Sequence, residues 1–580
     1  MVNLSESNKR YYRYLSLVAI VILGVMSILG SGGGGDSSTS PPPPAAPSVT
    51  ATSPAQSSDT ALVTTEVLAR FSEQMDPLTI NANSFLLRDS GSRPINASSI
   101  TFYAQYDGHD NVAVFVPNND LNINEEYFAT LTTEIEDTSG VALARNYVWS
   151  FLVAPAVVAV SMDSAGNFGN SGIDTLSPSA SNATGEYVVF ASTDSLAGRD
   201  TGGNSQIYRK NTVTGRIELV STTSDSLTLA DGPCADPRIS DEGRFVIFSS
   251  RASNLDLSVT LPSTNVSHIY FKDMRDGSIS LLDVSINNPN QAANGNSTRP
   301  DISGIPITDP QGRHVVFEST ATDLVSGDTN TMSDIFYVNA ATGGIERVSV
   351  DSAGTEATNH SYRPRVSDDG RRVVFESVAT NLVTGDTNGK SDIFLRNLVT
   401  DTTTRLSVDS NGNEVNGGPD GSINADISAN GLYAVFESDQ HLDGDTNGSI
   451  TDIFVRAIDV PSTAILSFAE GDVNGADNNS TRPSISADGR YIAFESLATD
   501  LLGAGNDTNG QADVFVRDKN SSTIERVSVD NLGAQGNDAS MNAAISTDGR
   551  YVSFTTREPF DTTDFPSTYD IYRAYNSALP

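Results

Sequence analysis

Short runs of alternating apolar and polar residues recur along most of the chain, separated by Asp-Gly, Asn-Gly and Gly-rich steps. Period-two alternation buries one face of a strand, so each run predicts a β-strand. After Ala154 the runs fall into a repeat, clearest in "RPRVSDDGRRVVFESVATNLVTGDTNGKSDIFLRNLVTDTTTRLSVDSNGNEVN" from Arg363. Strand A ends in "RVS" or "SIS", and "DDG", "ADG" or "TDG" then makes a two-residue hairpin turn. Strand B is "RRVVFES" or "RYIAFES", strand C "DIFLRN" or "DVFVRD", and strand D "TTRLSVD" or "IERVSVD". The phenylalanine of strand B marks the period at Phe190, Phe248, Phe317, Phe375, Phe436, Phe494 and Phe554, with intervals of 58, 69, 58, 61, 58 and 60 residues. Four strands per copy at this spacing describe blades of a β-propeller.

The ends of the array carry a further signal. The last copy has strands A ("AAIS"), B ("YVSFTT") and C ("YDIYRAY") but no D. The array opens on an orphan, "VVAVSMDSAGNFGN" from Val157 to Asn170, which matches a strand D and its following loop. An N-terminal strand D completing the last blade would close a ring and remove exposed sheet edges. The expected fold is therefore all-β: residues 155–580 form a seven-bladed propeller with one-plus-three strand closure. "SISADGRYIAFES" and its sister strings resemble the TolB-like (WD-like) propeller repeats. That resemblance implies the propeller fold, and it leaves activity open, because such propellers serve both protein-binding parts and the non-catalytic halves of peptidases.

Residues 48–154 carry shorter β-type runs, "TEVLARFSEQM", "SITFYAQY", "VAVFVP", "EYFATLTTEI" and "YVWSFLV", which fit a β-sandwich. "ARFSEQMDPLTI", "VFVPNNDLNINEEYFATL" and "EDTSGVALARNYVWSFLV" resemble the bacterial Ig-like domain, which implies a spacer or adhesion module. Trp149 and Phe151 are expected in its core.

Lys9, Arg10 and Arg13 precede an apolar run from Leu15 to Leu29, and a Gly/Ser/Pro-rich stretch follows. This reads as an export signal or membrane anchor over residues 1–30 and a linker over 31–47. "ILGSGGGG" resembles a lipoprotein signal, with Ser31 where the lipidated cysteine would stand. The expected location is exported: periplasmic, anchored in the inner membrane, or on the cell surface or secreted. The chain has 72 acidic and 35 basic residues, a net charge of −37. That argues against nucleic acid as a partner, and membrane contact is expected only through the N-terminal segment. A single cysteine, Cys234, excludes an intrachain disulfide.

An acidic turn is written four times, each just before strand C: "GDTNTMSDIF", "GDTNGKSDIF", "GDTNGSITDIF" and "NDTNGQADVF". Two readings stand. Asp and Asn cap turns through backbone N–H groups. The same residues also supply oxygen ligands around a bend, as calcium requires. The candidate ligand sets are Asp328, Asn330 and Asp334; Asp386, Asn388 and Asp392; Asp445, Asn447 and Asp452; and Asp507, Asn509 and Asp513. The third set has one extra residue before its last aspartate, which counts against it. Strand direction places these turns on the face of the long B–C and D–A loops, where binding is expected. Arg299, Arg363 and Arg482 open strand A before a proline. They read as ligand contacts at the channel mouth or as ion-pair partners of Glu318, Glu376 and Glu495.

Catalytic groupings do not emerge from the sequence. The five histidines, His109, His268, His314, His360 and His441, show no metal-ligand spacing. No nucleophile elbow, P-loop or dinucleotide fingerprint is present. The reading is a non-catalytic binding or scaffold protein of the cell envelope with a protein or glycan partner and calcium as the one cofactor considered. A carbohydrate-active enzyme using the channel and a structural surface protein are the alternatives.

Overall fold

The computed structural model describes residues 46–61, 66–103, 111–119, 121–122, 125–153, 157–169, 179–263, 265–304, 313–415, 417–443, 445, 447–469, 475–503, 505–560 and 568–576. The export segment, nearly all of the linker and His109 lie outside the described residues. Two compact units divide the chain, residues 1–156 and 157–579. No helix among the described residues is long and apolar enough to cross a membrane.

The first unit is a two-sheet sandwich. One sheet orders Val49–Ser53, Val67–Phe71, Val112–Pro117 and Ala97–Tyr103, and the other orders Ser58–Ala61, Tyr147–Val153, Glu126–Leu131, Phe85–Asp89 and Pro94–Ile95. Val67–Phe71 alternates buried and half-buried residues, as a strand with one core face must. Trp149 and Phe151 are buried with Phe85 and Phe115 between the sheets.

The second unit contains seven four-stranded antiparallel sheets among the described residues. Blade 4 shows the plan: A is Ser361–Val366, B Arg372–Ser377, C Asp392–Asn397 and D Thr402–Arg405. Blades 1, 2, 3, 5 and 6 run in the same order over 180–219, 234–281, 297–347, 422–465 and 480–526. Blade 7 takes A, B and C from Ser540–Ile545, Tyr551–Thr556 and Asp570–Tyr575, and its D from Val157–Ala159. Each A strand contacts the next, and that of blade 7 meets that of blade 1, so the sheets form a closed ring.

Strand B is buried on both sides because neighbouring blades cover both of its faces. The phenylalanine that marks the period stacks on an aromatic residue of strand C in every blade. Phe375 and Phe394 lie 5.8 Å apart at 26°, and Phe190 on Tyr208 and Phe554 on Tyr572 repeat the contact. The Asp-Gly turn has two reasons for its glycine. Gly370 has a φ of +67°, and a Cβ there would lie 2.2 Å from the His314 ring of blade 3. Gly489 faces Tyr433 of blade 5 in the same way.

Phe375→Ala should therefore lower unfolding free energy by about 3–5 kcal/mol. Val399→Ala, on an exposed turn, should stay within about 0.5 kcal/mol. Urea titration followed by circular dichroism checks both.

Candidate functional site

The strand-A starts surround a cavity of about 450 Å³ on the ring axis. Its mouth is built by a repeated backbone irregularity. In six blades the third residue of strand A has a positive φ: Asp236 at 52°, Arg299 at 48°, Arg363 at 48°, Asn424 at 51°, Arg482 at 49° and Asn542 at 58°. Pairing with strand B shifts register at each of these points, the mark of a β-bulge. The bulge turns a side chain toward the mouth and leaves its N–H unpaired within the blade. In four blades a glutamate from the preceding blade accepts that N–H, and in blade 3 Asp236 accepts Arg299 N at 3.3 Å. Glu318 takes Arg363 N at 2.9 Å, Glu376 takes Asn424 N at 2.5 Å, and Glu437 takes Arg482 N at 2.5 Å. Glu495 takes Asn542 N.

The same glutamates hold the bulge side chains of their own blades. Arg299 Nη1 donates to Glu318 and Arg363 Nη1 to Glu376, both at 2.9 Å, and Arg482 Nη1 lies 3.5 Å from Glu495. The three guanidinium side chains remain 43, 36 and 53% exposed and line the cavity. Blade 5 has Asn424 in place of the arginine, and its amide donates to Glu437 at 2.7 Å. Burial then pushes the Glu437 carboxyl up to about 7, against the N–H of Arg482 and the Asn424 amide.

Deeper in the cavity the charges alternate around the ring. Arg238 Nε lies 3.6 Å from Asp301, and Arg365 Nε lies 3.8 Å from Asp426. Asp301 and Asp426 also accept Val366 N and Ile485 N of the next blades, each at 3.0 Å. Burial, helped by the Arg365 charge, lowers Arg238 to about 10.

The far end is laced by the A–B turns. Asp368 N donates to Ala429 O, Asn430 N to Ala487 O, Ala487 N to Thr547 O, Asp548 N to Ala183 O and Ala183 N to Asp241 O, at 2.8–3.2 Å. Blade 3 contributes Gly304, whose N–H donates to Asp368 at 3.1 Å. A Cβ at Gly304 would lie 2.6 Å from both Asp241 and Asp368. Its absence lets those two carboxyls converge on this glycine. Burial and the neighbouring Asp241 push Asp368 up to about 7, and burial raises Asp241. These turns line the end of the cavity opposite the arginines.

The acidic turns stand apart from the cavity, at the outer strands. In blade 4 the Arg405 guanidinium sits among three carboxylates, 3.4 Å from Asp386, 3.3 Å from Asp392 and 2.7 Å from Glu414. Asn388 donates to Asp392 at 3.0 Å and accepts Lys390 N at 2.9 Å. Arg347 repeats this in blade 3 with Asp328, Asp334 and Glu356 at 3.5, 3.6 and 2.7 Å, and Asn330 donates to Asp334. In blade 6 Arg526 lies 3.7 Å from Asp507 and 3.2 Å from Asp513, Gln535 replaces the glutamate, and Asn509 accepts Gln511 N. The last aspartate of each turn also accepts from the serine after strand D, as Ser407 donates to Asp392 at 2.5 Å. Blades 1 and 2 keep that tie with Gln206–Ser221 and His268–Asp283. Burial and the adjacent Asp392 raise Asp386 to about 6. Glu414 is held at about 2 against burial by hydrogen bonds from Thr387 and Arg405. In three of the four predicted ligand sets a guanidinium therefore occupies the place a metal ion would take. The fourth set, Asp445, Asn447 and Asp452, has no arginine: Ile465 holds its register position. No three His, Cys, Asp or Glu side chains converge as a ligand group among the described residues.

The structure brings Arg299, Arg363 and Arg482 together at one mouth and keeps the acidic turns out of it. Sequence reasoning missed Arg347, Arg405 and Arg526. Their signal was present: the arginine of "IERVSVD" or "TTRLSVD" accompanies three of the four acidic turns. It also missed Asp241 and Asp368, whose signal was the residue after the turn serine, which is Gly304 in blade 3 alone among these turns.

Residues 44–153 match the bacterial Ig-like domain family. The propeller is similar to TolB of Agrobacterium tumefaciens (16% identity, 59% of this chain and 90% of that one, TM-score 0.32). It is similar to TolB of Acinetobacter baumannii (14%, 64% and 76%, TM-score 0.31). An oligogalacturonate lyase of Vibrio parahaemolyticus is also similar (12%, 73% and 100%, TM-score 0.41). No curated protein matches the chain in sequence.

Two outcomes follow from these charges. Arg405→Leu leaves three carboxylates without their cation and should cost roughly 3–5 kcal/mol in urea unfolding. Asp368, raised in the fold to about 7, favours the folded state below the unfolded carboxyl value and loses that contribution as pH rises through 7. Asp368→Asn should flatten the fall in urea midpoint between pH 4 and pH 7 relative to the parent chain.

Proposed function

We propose that the propeller is a non-catalytic binding module of an envelope or secreted protein, and that the arginine-rimmed cavity takes the end of a polar, carboxylate-bearing glycan. The carrying observation is the mouth itself. Three half-exposed guanidiniums are held by glutamates behind them, on strained left-handed backbone, at one end of a cavity of about 450 Å³. Residues kept in such conformations cluster at ligand sites. A guanidinium carries five N–H donors, so a latch to one carboxylate leaves donors for a ligand. The volume falls in the range of about 300–1,000 Å³ that small ligands use. The Ig-like domain supports a role as spacer and an extracytoplasmic setting.

Calorimetric titration of acidic and neutral oligosaccharides, with acidic peptides of similar size alongside, tests the reading. An acidic oligosaccharide should bind without turnover, and Arg299→Ala with Arg363→Ala should weaken it at least about tenfold, or ~1.4 kcal/mol. Binding unaffected by the two substitutions, binding of peptides alone, or release of product would overturn it.

A further inference from the structure

Blade 5 departs from its sisters at both positions that neutralise the acidic turn. Ile465 pairs with Phe454 as Arg405 pairs with Phe394, so an aliphatic side chain replaces the internal cation. Gly475 precedes Ala476, whose carbonyl accepts Asn447 at 3.0 Å just as that of Ala357 accepts Asn330 in blade 3. Glycine therefore replaces the glutamate that reaches the arginine elsewhere. Two buried aspartates remain without the guanidinium their counterparts enclose.

Two oxygens of this turn are short of donors. The Asp445 side chain is 0% exposed, and His441 Nδ1 lies 3.7 Å from its Oδ2. Among the described residues that Oδ2 accepts no hydrogen bond, and neither does the buried Asn447 Oδ1. In blades 3, 4 and 6 the same amide oxygen accepts the N–H two residues on, from Met332, Lys390 and Gln511. The extra residue before Asp452 changes the path of the turn and removes that donor. What counted against this set in the sequence is what frees its oxygen. Asp452 is fixed by Ser467 at 2.6 Å and by the Asn447 amide at 2.8 Å. The arrangement holds two carboxylates and an amide oxygen in place, with the amide nitrogen turned away onto Asp452 and the Ala476 carbonyl. Buried oxygens without donors are costly. The matching oxygens of the sister turns, Asp328 Oδ1, Asp386 Oδ1 and Asp507 Oδ2, also lack a hydrogen bond, but each faces an arginine at 3.4–3.7 Å, whereas Asp445 Oδ2 faces the half-exposed His441 ring.

We infer that blade 5 holds a divalent cation of the calcium class where blades 3, 4 and 6 hold an arginine. Asp445, Asn447 and Asp452 supply only oxygen, the preference of a hard ion that accepts backbone carbonyls and water for its remaining positions. The ion does for this blade what Arg347, Arg405 and Arg526 do for theirs, and it makes the stability of the ring depend on the calcium outside the cell.

Calcium chloride alone, titrated into chelator-treated full chain, should bind at one site per chain and raise the melting temperature. Asp445→Asn should weaken that binding at least about tenfold by removing one ligand charge. Ile465→Arg should abolish it by restoring the internal cation. If the arginine variant fails to fold, the asparagine variant decides alone, since it changes charge with little change in shape. No heat and no thermal shift in the parent chain would overturn the inference. So would a response that survives Asp445→Asn, or one lost in Asp386→Asn instead.

Discussion

Three residues hold the ring shut. Val157, Val158 and Ala159 pair with Ala574, Arg573 and Tyr572, and Ser161 Oγ donates to Asp570 while accepting Ile571 N. Among the described residues blade 7 has no other fourth strand. Without this pairing its third strand would present open N–H and C=O groups, and the sheets would form an open array with two edges. The cavity depends on the same closure. Its turn-end lacing passes through Asp548 N to Ala183 O, a bond between the last blade and the first. Arg573 donates to Gly185 O across the same seam.

The glutamate latches add a second layer of cooperation. Each of Glu318, Glu376, Glu437 and Glu495 joins two consecutive blades through one carboxylate. The chain is strongly acidic overall, yet many of its interior charges are matched locally, at the mouth, in the alternating ring below it and in the acidic turns of blades 3, 4 and 6. Removing one partner of such a set leaves a buried charge, which costs more than the pair contributed. A repeat built this way tolerates exchange of whole matched sets between blades. Gln535 for the glutamate in blade 6 is one such exchange, because its amide still donates to both aspartates.

Much of the fold was legible in the sequence because it rests on local pattern. Alternation gives strands, Asp-Gly gives the A–B turn, the spacing of Phe375 and its counterparts gives the blade, and the orphan strand at Val157 gives the closure. The sandwich was legible for the same reason, with Trp149 and Phe151 in its core. The site was legible in part. Arg299, Arg363 and Arg482 were visible as a column with Glu318, Glu376 and Glu495 as ion-pair partners, and the structure pairs them so; the backbone N–H that three of these glutamates and Glu437 take from the next blade depends on a bulge that the pattern does not encode. The acidic turns were read as isolated motifs, whereas their chemistry depends on residues about 20 positions downstream, at Arg405 and Glu414. Asp241 and Asp368 come from different blades and converge only because Gly304 between them has no side chain. Contacts across blades depend on columns of the repeat read together.

The lacing of the A–B turns joins the strand-A ends opposite the arginines. A channel open at both ends lets a polymer thread through and be gripped anywhere along its length. If the proposed glycan enters past Arg299, Arg363 and Arg482 and stops at those turns, a long molecule is read at its end, and the number of chain ends rather than the mass of material sets how many copies can be engaged.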